Sequence, residues 1–302
     1  MIKTLFHQIG AYKKDSILTP IYAAAEVIME ILIPFVTAAI IDEGIQAGNM
    51  QKVLQYGVIM IVLALLSLFF GIQAGRKAAS ASTGFACNLR ESMYRNIQTF
   101  SFSNIDKFST AGLVTRMTTD VTNMQNAYQM ILRIAVRAPM TLICSMVMCF
   151  IINVKLSLIF LVALCVLAAA LIYIMMHAMP VFQEVFSKYD DLNASVQENV
   201  TAIRVVKAFV REDFENQKFG KAAEVLCKLF VKAESIIVFN APIMMTVIFA
   251  SMLGLSWIGA QLIVAGDLTT GNLMSLFSYV LSIMMSLSLI HISEPTRLLS
   301  IS

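Results

Sequence analysis

Residues 201–214 read TAIRVVKAFVREDF, a charged stretch with helical spacing inside a chain otherwise saturated with apolar side chains. Upstream of it, apolar residues recur three or four apart at Phe182, Val185, Tyr189, Leu192, Val196, Val200, Ile203, Val206 and Val210. That spacing marks one face of a helix. No Pro or Gly falls between Pro180 and Gly220 to interrupt it. The pattern predicts one continuous helix that leaves an apolar run and carries the charged stretch away from it.

The surrounding composition says what the apolar run is. The 302 residues are 58% hydrophobic and only 14% charged, where an ordinary soluble domain is about a quarter charged. The class is an integral membrane protein. A helix needs about 20 mostly apolar residues to cross the hydrocarbon core. Six stretches meet or approach that length: Ile17–Ile41, Leu54–Gly75, Ile134–Ile152, Leu156–Met179, Ile236–Val264 and Leu273–Ile292. The first is too long for a signal peptide and is interrupted by Glu26 and Glu30, so it reads as a retained span. The third opens on Arg133 and Arg137, which are expected to snorkel toward a head-group surface.

Connections after the first, third and fifth spans are short, whereas residues 76–133 and 180–235 form long ones. Lys3, Lys13 and Lys14 precede the first span, most other Lys and Arg fall in the long connections, and the short loops hold only Lys52 and Lys155. The positive-inside rule puts both termini and both long connections in the cytosol. The first long connection is also helical in pattern. Phe85, Leu89, Met93, Ile97 and Phe100 lead in, and Leu113, Met117, Val121, Met124, Tyr128 and Leu132 lead out. Between them lies SFSNIDKFSTAG, with a capping box from Ser103 to Asp106 and a glycine stop at Gly112. The fold class expected is therefore all-α, with six transmembrane helices and two long cytosolic helical hairpins.

Several function classes are disfavoured by the same residues. A net charge of +3 without a dense Lys/Arg tract gives no nucleic-acid footprint. The five cysteines show no C-x-x-C pairing and three lie in apolar runs, where they read as small buried hydrophobes. The three histidines are scattered, so no metal site is expected. No G-x-x-x-x-G-K-[ST] phosphate loop occurs. Its nearest decoy, FGKAA at 219–223, lacks the first glycine and the hydroxyl after Lys221.

The segment NIDKFSTAGLVTRMTTDVTNMQ, with Gly112, Leu113, Val114, Arg116 and Asp120 in a tG-l-v-x-R-x-x-x-D pattern, resembles the first intracellular hairpin of ATP-binding cassette exporters. VQENVTAIRVVKAFVREDFENQKF resembles their second hairpin, and RIAVRAP at 133–139 is similar to the bacterial multidrug branch, whose halves often come from different chains. The resemblance covers roughly residues 13–288. It implies a cytosolic elbow segment at 1–16, a transmembrane domain at 17–290, and a tail at 291–302 outside the family pattern. Pro295 is expected to break any helix in that tail, which suggests a truncation joined to foreign sequence. It also implies the partners: a nucleotide-binding domain that holds ATP and Mg²⁺, a second transmembrane half, and the lipid of a bacterial plasma membrane. No cofactor is expected in this chain itself.

In such exporters the hairpin tips are coupling helices seated on the nucleotide-binding domains. Carried onto this sequence, the coupling residues are Ser103, Asp106, Lys107 and Phe108 at the first tip. At the second they are Phe209, Arg211, Glu212 and Phe214. The two Phe are candidate anchors within a charged rim. The alternative is a solvated tip with its Phe residues packed on its own hairpin.

Candidates for the translocation path are Glu26 and Glu30, four apart on one face of the first span, together with Met284 and Met285. Intramembrane carboxylates are costly and face a cavity or a partner. They would serve as a cation- or proton-accepting point, or as a protonated inter-helix hydrogen bond. The rival functional classes are a secondary transporter, which would need broken half-helices in two repeats, and a non-transporting structural or regulatory subunit.

Overall fold

The computed structural model describes residues 5, 7–101 and 109–299, with side chains through residue 287. Among the described residues there is no strand. After a single 3-10 turn at Gly10–Tyr12 the helices follow as α1 (Lys13–Ala39), α2 (Met50–Gln98), α3 (Thr110–Thr115), α4 (Val121–Ile152), α5 (Val154–Thr201), α6 (Ile203–Ala208), α7 (Glu212–Ile237), α8 (Asn240–Ala265) and α9 (Thr270–Leu299). A π-helical turn extends α1 through Ile40–Ile45, and another at Arg116–Asp120 joins α3 to α4. Among the described residues, six helical segments are long and apolar enough to cross a membrane. This is a multi-pass membrane protein. Its α2 exposes Val58, Ile61, Leu65, Leu68, Phe69 and Ile72, an apolar surface that suits lipid and would be a liability in water.

α2 has 49 residues and α5 has 48, so each is about 70 Å long at 1.5 Å per residue. A hydrocarbon core accounts for only about 30 Å of that. The chain divides into two compact units, Met1–Leu161 with Ser251–Ser302, and Val162–Ala250.

In the first unit α1, α2, α4 and α9 pack together. Pro34 removes one donor from the α1 ladder. Nearby carbonyls of that turn are satisfied from α9. The buried Tyr279 hydroxyl donates to Ile31 O at 2.8 Å, and the Ser275 hydroxyl donates to Pro34 O at 2.5 Å. At the C-terminal end of α1, Asp42 accepts the Gly271 N–H at 2.8 Å, which caps the start of α9. A β-carbon on Gly271 would lie 2.4 Å from Ala38 O, so only glycine permits this approach. Asp15, ahead of the first span, accepts from Ser80 at 2.6 Å and pairs with Lys77 at 2.9 Å, pinning the start of α1 to α2.

In the second unit, Val185 of α5 packs with Leu226 and Ala233 of α7, and Phe182, Leu192 and Leu229 close around them. Two details depart from the sequence reading. The helix expected to continue through Val210 stops at Thr201, restarts for one and a half turns as α6, and reverses at Phe209–Arg211. Near the other end of the chain, Pro295 does not end α9, whose backbone stays helical to Leu299. Proline forfeits one ladder bond and bends a helix without always stopping it.

Candidate functional site

Two places in the structure concentrate polar chemistry. The first is in the unit that contains α1, α4 and α9. Glu26 and Glu30 lie one turn apart on α1, and Arg137 of α4 reaches both. Its Nη1 donates to Glu26 Oε1 at 2.9 Å, and its Nη2 donates to the two Glu30 oxygens at 2.8 and 2.9 Å. A planar guanidinium with a fixed fork of donors is the side chain suited to span two carboxylates. Glu26 is buried at 7% exposure. It has room because Gly71 of α2 stands beside it; a β-carbon there would sit 3.0 Å from Glu26 Oε1. Arg137 therefore turns to the carboxylates rather than snorkelling to a surface.

The triad carries two negative charges and one positive, so it is formally −1. Its more exposed member, Glu30, borders a cavity of about 200 Å³, lined also by Thr141, Ser282, Met285 and Ser286. Met285 is half exposed on that lining, whereas Met284 is fully buried in the packing of α9.

The second place is the hairpin tip in the other unit. α6 ends in a Schellman arrangement: Arg211 N–H donates to Val206 O at 3.0 Å and Val210 N–H to Lys207 O at 3.3 Å. The residue that must turn left-handed there is Val210, at φ +51°. Glycine is the usual occupant, and a β-branched side chain in that region costs about 1–2 kcal/mol. Nothing in the sequence marks a stop at this position, which is why spacing alone runs the helix through it.

The reversal presents its apolar residues outward. Phe209 is 73% exposed, Val210 81% and Phe214 56%. The Arg211 guanidinium lies 5.7 Å from the Phe214 ring centroid, within cation–π range. The flanking charges are tied to the hairpin. Lys207 pairs with Glu212 at 3.0 Å, and Asn199 donates to Glu215 at 3.0 Å, which links α5 to α7. The Glu212 carboxyl is held below its ordinary value by its own backbone N–H first and by Lys207 second. Below these contacts a groove of about 460 Å³ runs between the arms, lined by Val196, Asn199, Ile203, Glu215 and Phe219 among others. Residues 103, 106, 107 and 108, expected at the first tip, lie outside the described residues; Ser109 caps α3 by accepting the Gly112 N–H at 3.0 Å.

Comparison with known proteins places this architecture. The family described as ABC transporter transmembrane region matches residues 17–287. The chain belongs to that family. It is 32% identical over 264 residues to the uncharacterized ABC transporter ATP-binding protein YfiB of Bacillus subtilis, covering 87% of this chain and 46% of that protein. It is 28% identical over 286 residues to the uncharacterized ABC transporter ATP-binding protein Rv1273c of Mycobacterium tuberculosis, covering 95% and 49%. A Rickettsia typhi protein provisionally named as an export ATP-binding/permease protein is 25% identical over 276 residues, covering 89% and 47%. The chain thus spans about half the length of the curated relatives it matches.

Proposed function

We propose that this chain is the membrane-spanning half of an ATP-driven exporter in a bacterial plasma membrane. In this reading both helical hairpins are cytosolic, and Phe209–Phe214 seats on an ATP-binding domain that supplies the ATP and Mg²⁺ sites. A second transmembrane half completes the translocation path. Closure of the ATP-binding domains around nucleotide pulls on the tips, and the long helices carry that displacement into the membrane.

One observation carries the reading. In a chain that belongs to the ABC transporter transmembrane region family, the hairpin tip exposes two phenylalanines and a strained valine on a scaffold tied together by the Lys207–Glu212 pair and the Asn199–Glu215 hydrogen bond. An exposed aromatic pair inside a charged rim is the composition of an interface centre. The names of the relatives, several of which include ATP-binding, support the same partner. For the path itself, Glu30 and Met285 line a cavity beside the Glu26–Arg137–Glu30 triad.

The test is topological and functional together. A single cysteine placed at Val210 is expected to react with a membrane-impermeant maleimide only after the cytosolic side is opened. In a transporter carrying this chain with its ATP-binding half, the same adduct should block substrate-stimulated hydrolysis. Labelling from outside intact cells would refute the orientation, and labelled protein with full stimulation would refute the docking role.

A further inference from the structure

The cavity beside Glu30 does not stand alone. A second cavity of about 360 Å³ shares Ile134 and Arg137 with it and extends along α4 past Arg133, Met130, Gln129 and Asn126. Residues 126, 130, 133, 137 and 141 are spaced three or four apart, so one face of α4 lines both cavities. Three charges border this continuous surface: Glu30 and Arg137 at one end and Arg133 one turn further along α4. Glu26, buried behind them, is the fourth charge of the cluster.

Their sum decides what fits. The triad is −1, and Arg133 is exposed and forms no hydrogen bond or ion pair among the described residues. The surface is therefore formally neutral in total but divided, with the surplus negative charge shared by the two carboxylates, of which Glu30 borders the cavity, and the surplus positive charge at Arg133, roughly 6 Å along α4 from Arg137. A ligand with net charge would leave one of these groups uncompensated, and covering a charge without a partner is costly. A ligand with separated opposite charges compensates both. Glu30 can accept a further donor without releasing Arg137, because each carboxylate oxygen has two lone pairs. Beside polar wall residues such as Gln129 and Thr141, the apolar Met130, Ile134 and Met285 suit an alkyl portion.

We infer that this face binds a zwitterionic amphiphile, its cationic group at Glu30 and its anionic group at Arg133. The inference rests on the export reading for its purpose but not for its test, since binding can be measured without ATP or transport.

Full-length chain in maltoside micelles would be offered three amphiphiles of equal chain length below their micellar concentrations. Dodecylphosphocholine is zwitterionic, dodecyltrimethylammonium is cationic and dodecyl phosphate is anionic; native mass spectrometry would read occupancy. The zwitterion is expected to bind about ten-fold tighter than either, the size of one favourable charge contact. Glu30→Gln leaves the surface at +1 and should shift the preference to the anion. Arg133→Gln leaves it at −1 and should shift the preference to the cation. These opposite inversions separate the site from a general loss of fold, and Arg133 takes part in no described contact whose loss would unfold the chain. Equal occupancy by all three amphiphiles, or variants that keep the parental order, would overturn the inference. Tailless phosphocholine competing as well as the dodecyl form would overturn the amphiphile assignment. Neither failure touches the docking test at Phe209–Phe214, so the two readings fall separately.

Discussion

The Glu26–Arg137–Glu30 cluster and the Phe209–Phe214 tip handle their costly groups in opposite ways. In the cluster the charged groups find their partners within the chain: two carboxylates of α1 share one guanidinium of α4, and Gly71 makes room for the deeper one. At the tip Lys207 and Glu212 pair with each other but the apolar groups are left in the open, and Val210 holds a left-handed conformation with its side chain exposed. A region that completes itself is expected to respond to mutation through stability. A region left incomplete is expected to respond through its partner.

The comparison breaks most visibly at Arg137. Arg137→Leu strands two carboxylates that were placed to face it, and breaking a buried pair on one side costs 3–5 kcal/mol. Arg137 and Glu30 each keep more than a third of their side-chain surface exposed, so about 3 kcal/mol is expected, read as a fall in thermal midpoint in detergent. Adding Glu26→Gln and Glu30→Gln to that variant should recover most of the loss. A single variant as stable as the parent would show that the cluster is not what holds α1 to α4.

A second effect of similar kind belongs to Gly271. The β-carbon of Gly271→Ala would meet a backbone carbonyl at 2.4 Å, and backbone cannot rotate away as a side chain can. Overpacking of this sort costs about 1–3 kcal/mol, again visible as lost thermal stability. Val210→Gly should move the other way. It relieves about 1–2 kcal/mol of left-handed strain, less the extra chain entropy that glycine loses on folding, for a net gain of about 0.5–1 kcal/mol. Hydrogen exchange of α6 and α7 amides would report it as slower exchange.

The smallest effect is at Asp15, whose carboxyl is held below its ordinary value, chiefly by the Ser80 hydroxyl and then by Lys77. Because its folded value is depressed, its contribution is present above the unfolded value of 3.8 and is lost as pH falls through the lower folded one. Stability should thus be indifferent to Asp15 protonation near neutrality. Near neutrality the parent should exceed Asp15→Asn by less than about 1 kcal/mol, and acid titration below about pH 4 should close that gap.

How much of this could be read from residues alone follows from the range of each interaction. The six spans and two long helical connections are legible because hydropathy and helical spacing are local, and the family fingerprint at Gly112–Asp120 and 196–219 is contiguous. Glu26 and Glu30 were recognisable as a shared face of α1, but their partner was not. Arg137 lies more than a hundred residues away, and spacing says which face a residue occupies without saying which helix answers it. Met284 and Met285 are adjacent in sequence, yet only packing separates the buried one from the one that lines the cavity. The reversal at Val210 was located by the resemblance to a hairpin tip and not by spacing: a Schellman stop is normally signalled by glycine, and here the backbone takes that conformation with valine. Pro295 gave a false stop because its rule is a tendency whose cost a long helix can absorb.

The central claim is that the tip is built for a partner rather than for its own hairpin, and one paired measurement on Phe209→Ala and Phe214→Ala addresses it. In a transporter that joins this chain to its ATP-binding half, substrate-stimulated ATP hydrolysis and the thermal midpoint in detergent would be recorded for each variant. The account predicts weakened docking of about 2 kcal/mol, near thirty-fold, with stimulation largely lost. Stability should shift by no more than about 0.5 kcal/mol, as for other exposed positions. Intact stimulation accompanied by a large fall in thermal midpoint would contradict it, and would mean that the two phenylalanines hold the hairpin together.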